Sequence, residues 1–364
     1  MLKVTVIGTT SWGTTLGIML ARHDHEVHLW ARTEREARKM SKNRPDSARF
    51  PGVTFPPNLT ITSHLPDALA NAKIVIMAVP SQSMRQNIEL AESHLSKGTI
   101  VVSASKGLEM GTGKRMSQVI TEVLGERYHG NVCVLSGPNL SREVLNELPA
   151  ASVAAAEDTK VARQVQKILT TPSFCVFTNT DIIGVELGGA FKNIVALGAG
   201  IADGFGYGDN AKAAFITRGL TEITALGVAL GANPLTFSGL AGLGDVIATC
   251  ASPLSRNHYV GVELAKGRPL TEIIDSMSEV AEGVPTTMVA RNIAQELGLE
   301  MPITEKIYSV LYEHADPREV IQGLMRVNAK HELAGRKWRL FSFFRRRPPG
   351  SAAATPGAAP DKAP

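Results

Sequence analysis

Five short β-rich apolar runs, separated by amphipathic stretches, constrain the first half of this chain most strongly. "KVTVIG", "EVHLWAR", "KIVIMAVP", "TIVVSASKG" and "NVCVLSGP" each close in turn chemistry and read as buried strands. Helical patterns lie between most of them, beginning with "WGTTLGIMLARH". Such alternation implies βαβ units and a parallel sheet. "AASVAAAED" and "FCVFTNTD" are expected as late strands of the same sheet. After Asp181 the texture changes. "IIGVELGGAFKNIVALGAGIADG" is long, apolar and rich in small residues, and four further helical patterns follow it. Glycine inside a helix costs ~1 kcal/mol relative to alanine, so several together suggest close packing or a ligand against that helix. The expected fold class is α/β, with an N-terminal Rossmann-type doubly wound sheet plus an all-helical C-terminal domain. The boundaries expected are 1–180 for the sheet, 181–330 for the helices and 331–364 for a basic, largely disordered tail.

At 364 residues the chain can bury two cores. Its calculated pI of 8.9 comes from one end. Residues 331–364 hold seven Lys/Arg and two Asp/Glu, whereas the whole chain is only +4, so residues 1–330 carry about −1. A nearly neutral body argues against a nucleic-acid partner. Cys133, Cys175 and Cys250 are odd in number and far apart, which fits a reducing cytoplasm and offers no metal-site spacing. No uninterrupted apolar run approaches the ~18–20 residues of a membrane span. The N-terminus enters a strand at once, without the layout of a signal peptide, so a cytoplasmic location is expected.

The first strand leads into "GTTSWG", and "WGTTLGIML" opens a helix. A dinucleotide turn reads G-x-G-x-x-G, and here Gly8, Thr10 and Gly13 occupy the three marked positions. Gly8 would make the turn, Gly13 would let the helix pack on the strand, and the helix N-terminus would face phosphate. Thr10 replaces the middle glycine and narrows the approach, while its hydroxyl could donate to a phosphate oxygen. Weakened but retained binding is the expectation. NAD-specific sites carry an acidic residue at the end of the second strand, but here that strand ends in Ala31 and Arg32. Arg32, helped by Arg49, could meet a 2′-phosphate, which favours NADPH, with NADH also possible.

Three later segments carry chemistry: "SASKG" with Lys106, "GGAFKN" with Lys192 and Asn193, and "GLAGLGDVIATCASPLSRN" with Asp245, Thr249, Arg256 and Asn257. Gly188, Gly189 and Ala196 share the side of Lys192 on a helix and would leave a cavity around its ammonium. Desolvation there would lower the lysine pKa toward a useful acid–base range. The alternative is a lysine that snorkels to the surface. Asp245 reads either as an N-cap or as a carboxylate that orients a lysine, with Thr249 on the same helix face. Arg256 and Asn257 suit an anion.

Taken together, "SWGTTLG", "HEVHLWAR", "AVPSQSMR", "SASKGLE", "SGPNLSREV", "ELGGAFKNIVALGAGIADG", "GLAGLGDVIATCASPLSRN" and "AEGVPT" resemble the bacterial NAD(P)-dependent glycerol-3-phosphate dehydrogenases over about residues 2–330. The joined "FKN" differs from the similar β-hydroxyacid dehydrogenases, which space the lysine and asparagine further apart. The resemblance implies reversible reduction of dihydroxyacetone phosphate to sn-glycerol 3-phosphate. By the same resemblance Lys192 moves the proton. Lys106, Gly137, Asn139, Asp245, Ser255, Arg256 and Asn257 line the substrate. Gly8, Ser11, Trp12, Gly13, Arg32, Arg49, Lys106, Ser141, Arg256, Val280 and Glu282 face the cofactor, while Asn193 and Thr249 have supporting roles. Three departures stand out: Thr10 for glycine, "SGPNLS" for the usual "SGPSFA", and the tail. In that tail "WRLFSFFRRRPP" could rest weakly on an anionic membrane surface. A homodimer is the expected assembly. The competing readings are another three-carbon or β-hydroxyacid reductase, and a non-catalytic NADPH-binding regulator degraded at Thr10 and Ser141.

Overall fold

The computed structural model describes residues 2–42, 50 and 52–325, so Arg49 and the 331–364 tail lie outside the described residues. The strands are β1 (Lys3–Ile7), β2 (Glu26–Trp30), β3 (Leu59–Thr62), β4 (Ile74–Met77), β5 (Ile100–Ser103), β6 (Val132–Ser136), β7 (Ala150–Ala155) and β8 (Phe174–Asn179). They form one sheet in the order β3-β2-β1-β4-β5-β6-β7-β8. Alternate side chains leave on opposite faces. Val4, Val6, Ile74 and Ile76 enter one core with Leu16 and Leu20 of the Ser11–Arg22 helix. Ile7, Val75 and Met77 enter a second core with Ile88 and Ile120 on the other face. Burial on both faces explains the continuous apolar runs.

Two features differ from the sequence expectation. The short β3, "LTIT", is half polar and was not among the expected strands, yet it pairs in parallel with β2. The sheet is also mixed, because β7 runs antiparallel to β6 while β8 is parallel to β7. The helix between β6 and β7, Ser141–Leu145, has five residues. At ~1.5 Å per residue it is too short to carry the chain back along β6, so the chain reverses at the carboxyl end instead.

From Ile182 the described chain is helical. The Ile182–Gly204 helix is long and apolar enough by composition to cross a membrane, but 94% of that stretch is buried inside the protein. It is a core helix, and its small residues set how closely neighbours approach. A Cβ on Gly198 would lie 2.1 Å from the Phe215 ring, and one on Gly200 would lie 2.1 Å from the His258 carbonyl oxygen. Close packing, rather than a ligand, accounts for those two glycines. Glu186 ties this helix to the sheet domain by accepting from the Arg115 guanidinium and, at 2.8 Å, the Ser117 amide.

The turn after β1 places the first helix against the sheet. Gly8 has φ +111°, and a Cβ there would meet the Ala78 carbonyl oxygen at 2.5 Å. A Cβ on Gly13 would sit 2.2 Å from the Gly8 carbonyl oxygen. Gly13→Ala must therefore push the helix off β1. The expected cost is about 1–3 kcal/mol, read as a lower denaturant midpoint at unchanged slope. An unchanged midpoint would mean that the helix is not held this closely.

Candidate active site

Four segments meet at the carboxyl ends of β1, β4, β5 and β6, where the strand order reverses direction. The turn after β1 supplies Thr10, Ser11 and Trp12. The loop after β4 supplies Ser81, the loop after β5 supplies Lys106, and the loop after β6 supplies Gly137 and Asn139. The helical domain brings Lys192 and Asn193 from the core helix and Asp245 and Thr249 from the Asp245–Ala251 helix.

Asp245 joins these two groups of residues. Its carboxylate is 1% exposed and accepts from both lysines. Lys106 Nζ reaches Oδ2 at 2.6 Å and the Gly137 carbonyl at 2.7 Å. Lys192 Nζ donates to Oδ1 and, at 2.6 Å, to Thr249 Oγ1. Thr249 in turn donates to the Asp245 carbonyl at 2.6 Å. Asp245 follows a π turn over Leu240–Gly244, in which the Gly244 amide reaches back to the Gly239 carbonyl at 3.1 Å. Such turns redirect a side chain within a helix. This one aims Asp245 at the lysines, which answers the choice between N-cap and lysine partner. Gly188 and Gly189 do not leave a cavity here. Added Cβ atoms would strike the Ala241 carbonyl oxygen at 2.5 Å and Ser136 Oγ at 2.4 Å, so these glycines let the π turn and the end of β6 close around Lys192.

Enclosure changes the lysine. Burial pushes its pKa from 10.5 down to about 7; the Asp245 charge opposes this and the neighbouring Lys106 ammonium adds to it. Lys192 does not snorkel, being 6% exposed.

The remaining expected residues take varied positions. Asn193 Nδ2 donates to the Lys106 carbonyl at 3.4 Å. Its Oδ1 accepts from Asn257 Nδ2 at 2.9 Å, and Asn257 Oδ1 accepts the Gly283 amide at 2.8 Å. Asn257 thus links two helices as well as lying near the site. Ser255 caps the Arg256–Ala265 helix by accepting from the His258 amide at 3.2 Å. Asn139 donates to Ser152 Oγ at 3.1 Å while its buried Oδ1 lacks a partner. Ser141 opens its short helix. Trp12 packs 6.3 Å from Phe174, with its buried indole N–H unpartnered. Arg32 is exposed just beyond β2, beside a shallow depression lined by Thr33, Arg35, Glu36 and Lys39.

Thr10 does something other than donate to phosphate. Its hydroxyl donates to the Ala78 carbonyl at 2.8 Å and accepts the Gly13 amide at 3.1 Å, which makes it the N-cap of the Ser11–Arg22 helix. The proton expected for a ligand is already committed, and the β-branched residue stabilises the turn.

A strap over residues 279–282 completes the site. Glu282 accepts the Ser81 amide at 2.8 Å and the Ser81 hydroxyl. Burial raises the Glu282 pKa above the usual carboxylate range, against the opposing Ser81 hydrogen bonds. Arg256, partly exposed, donates to the Val280 carbonyl at 2.8 Å. Glu279 was not among the expected site residues. Its Oε1 accepts the Ser11 amide at 2.7 Å, and its Oε2 lies 3.3 Å from Arg256 Nη1. No local sequence signal could have placed it, because Ser11 is 268 residues away. Among the described residues no group of His, Cys, Asp and Glu forms a metal site.

Comparisons with known proteins agree with this architecture. Residues 3–162 match the family model described as NAD-dependent glycerol-3-phosphate dehydrogenase N-terminus, and residues 181–322 match its C-terminus. A Dehalococcoides mccartyi protein named glycerol-3-phosphate dehydrogenase [NAD(P)+] is 61% identical over 95% of this chain and 97% of its own length. One of the same name from Desulfitobacterium hafniense is 47% identical over 92% and 94%. The crystal structure of glycerol-3-phosphate dehydrogenase from Coxiella burnetii superposes with a TM-score of 0.84 at 33% identity, covering 89% of this chain and 99% of that one. With both of its halves matched in order, and relatives this similar along nearly its whole length, the chain belongs to the NAD-dependent glycerol-3-phosphate dehydrogenase family.

Proposed function

We propose that this protein reduces dihydroxyacetone phosphate to sn-glycerol 3-phosphate, reversibly, with NADPH as its preferred nicotinamide cofactor. The observation that carries the reading is the enclosed pair of lysines on Asp245, at the carboxyl ends of the strands where such folds bind nucleotides. The cradle suits a dinucleotide. Gly8 and Gly13 let the Ser11–Arg22 helix seat closely on the turn after β1, the helix presents its N-terminus to phosphate, and Trp12 carries an unpartnered indole N–H. By the family resemblance Ser141, Val280 and Glu282 also face the cofactor. When bound, the cofactor supplies a hydride to C2 of the substrate. Arg32, exposed just beyond β2, offers cationic charge to a 2′-phosphate.

The protein's own groups supply the proton and the alignment. Lys192, as an ammonium, gives a proton to the C2 oxygen during reduction, and as an amine takes one from the C2 hydroxyl during oxidation. With a pKa of about 7, both forms are populated near neutrality. Asp245 and Thr249 fix where the Lys192 nitrogen points. Lys106 adds a second cation beside the reacting oxygen. Arg256, with Asn257 and Ser255 beside it, binds the substrate phosphate, and anchoring that remote group aligns C2. A phosphorylated substrate, rather than a plain β-hydroxyacid, suits this guanidinium.

Three outcomes follow. Lys192→Ala should lower kcat for NADPH-dependent reduction of dihydroxyacetone phosphate by ~10²–10⁴-fold while leaving the NADPH Kd near wild type. A wild-type protein with no turnover would point to a binding protein instead. The amine is the active form in oxidation, so kcat/KM for sn-glycerol 3-phosphate should rise as pH increases through about 7, and kcat/KM for reduction should fall over the same range. Flat profiles between pH 6 and 8 would remove Lys192 from the proton transfer. Arg32→Ala should weaken NADPH binding by ~10–100-fold, the value of a charge-assisted contact, and spare NADH. Equal loss for both cofactors would contradict a 2′-phosphate contact.

A further inference from the structure

Glu279 occupies hydrogen-bond donors that the proposed reaction needs for its anions. Its Oε1 accepts the Ser11 amide, the first N–H of the 12-residue helix that faces the dinucleotide. Its Oε2 lies 3.3 Å from the guanidinium of Arg256. The carboxylate is only 13% exposed, so it is seated in the crevice and not waving over it. Three residues on, Glu282 fastens the same segment to Ser81 beyond β4. The strap is thus clipped at one end by Glu282, while Glu279 reaches across to the turn after β1.

We propose that Glu279 is an internal anion at the cofactor site, which must leave the Ser11 amide before cofactor phosphate can take it, and which thereby sets cofactor affinity. This rests on the cofactor reading given above. A carboxylate and a phosphate oxygen cannot share one N–H in the same direction, so the two states exclude each other. The protein that binds cofactor is the fraction with Glu279 displaced, and the apparent Kd is the intrinsic Kd divided by that fraction. A charge-assisted hydrogen bond of this kind, partly screened by its 13% exposure, corresponds to about a tenfold weakening. Displacement also removes the negative partner of Arg256, which leaves its guanidinium more attractive to an incoming phosphate. Cofactor entry and readiness of the substrate-phosphate site are then linked through one side chain.

The test compares wild type, Glu279→Gln and Glu279→Ala, each shown to be folded by its thermal transition. Binding is measured for NADPH and for adenosine 2′-monophosphate, which has the adenosine end but no pyrophosphate. The expected result is NADPH bound ~10-fold more tightly by both variants, with adenosine 2′-monophosphate unchanged. Glutamine keeps the size of the side chain, so it stays informative if alanine loosens the strap. NADPH affinity that is unchanged or weaker in Glu279→Gln overturns the proposal alone, as does equal tightening of both ligands. A wild-type protein and variants that all fail to bind NADPH would overturn the cofactor reading and this proposal with it.

Discussion

Asp245 is one buried carboxylate shared by two ammonium groups, and the geometry of the site depends on it. Burying one anion among two cations costs desolvation that their attraction repays only when every contact is well made. Several parts of the chain make those contacts. The π turn over Leu240–Gly244 rotates Asp245 inward, Gly188 lets that turn press against the core helix, and Thr249 takes a further Lys192 proton. Lys106 arrives from the other domain, so the same carboxylate also joins the sheet to the helices. Burial drives Lys192 down to about 7, and Asp245 limits how far it falls. Without that counter-charge the amine's pKa would fall further, which favours the neutral form over the proton donor.

The crevice beside this cluster is organised by carboxylates as much as by cations. Glu282 holds the strap to Ser81, and Glu279 meets the first helix at its positive end. Thr10 belongs to the same economy of donors. Its hydroxyl closes the turn against Ala78 and takes the Gly13 amide. The unusual residue in the nucleotide turn therefore has a structural task that a glycine would leave undone.

Much of this was legible in the sequence, for local physical reasons. The first strand, turn and helix are recognisable because Gly8 and Gly13 answer steric demands only a few residues away. The core helix was readable from its length and its small residues, although the small residues around Lys192 turned out to receive backbone and a serine rather than to open a cavity. Elements that depend on distant partners were less visible. β3 is short and half polar, and becomes a strand by pairing with β2. The reversal at β7 follows from a helix too short to cross the sheet. The pairing of Lys192 with Asp245 spans 53 positions, and that of Ser11 with Glu279 spans 268. Residue chemistry singled out the first pairing's members, with a lysine partner as one of two readings of Asp245, whereas nothing in the chain's patterning supplied Glu279.

The central claim is that enclosure, moderated by Asp245, holds the Lys192 amine near neutrality. Direct titration of that amine by lysine-selective NMR, in wild type and in Asp245→Asn, tests it without any assay of turnover. The account predicts a wild-type midpoint near 7 and a lower one in Asp245→Asn, where the opposing charge is gone. A wild-type midpoint close to 10.5, the value of a freely hydrated lysine, would contradict it.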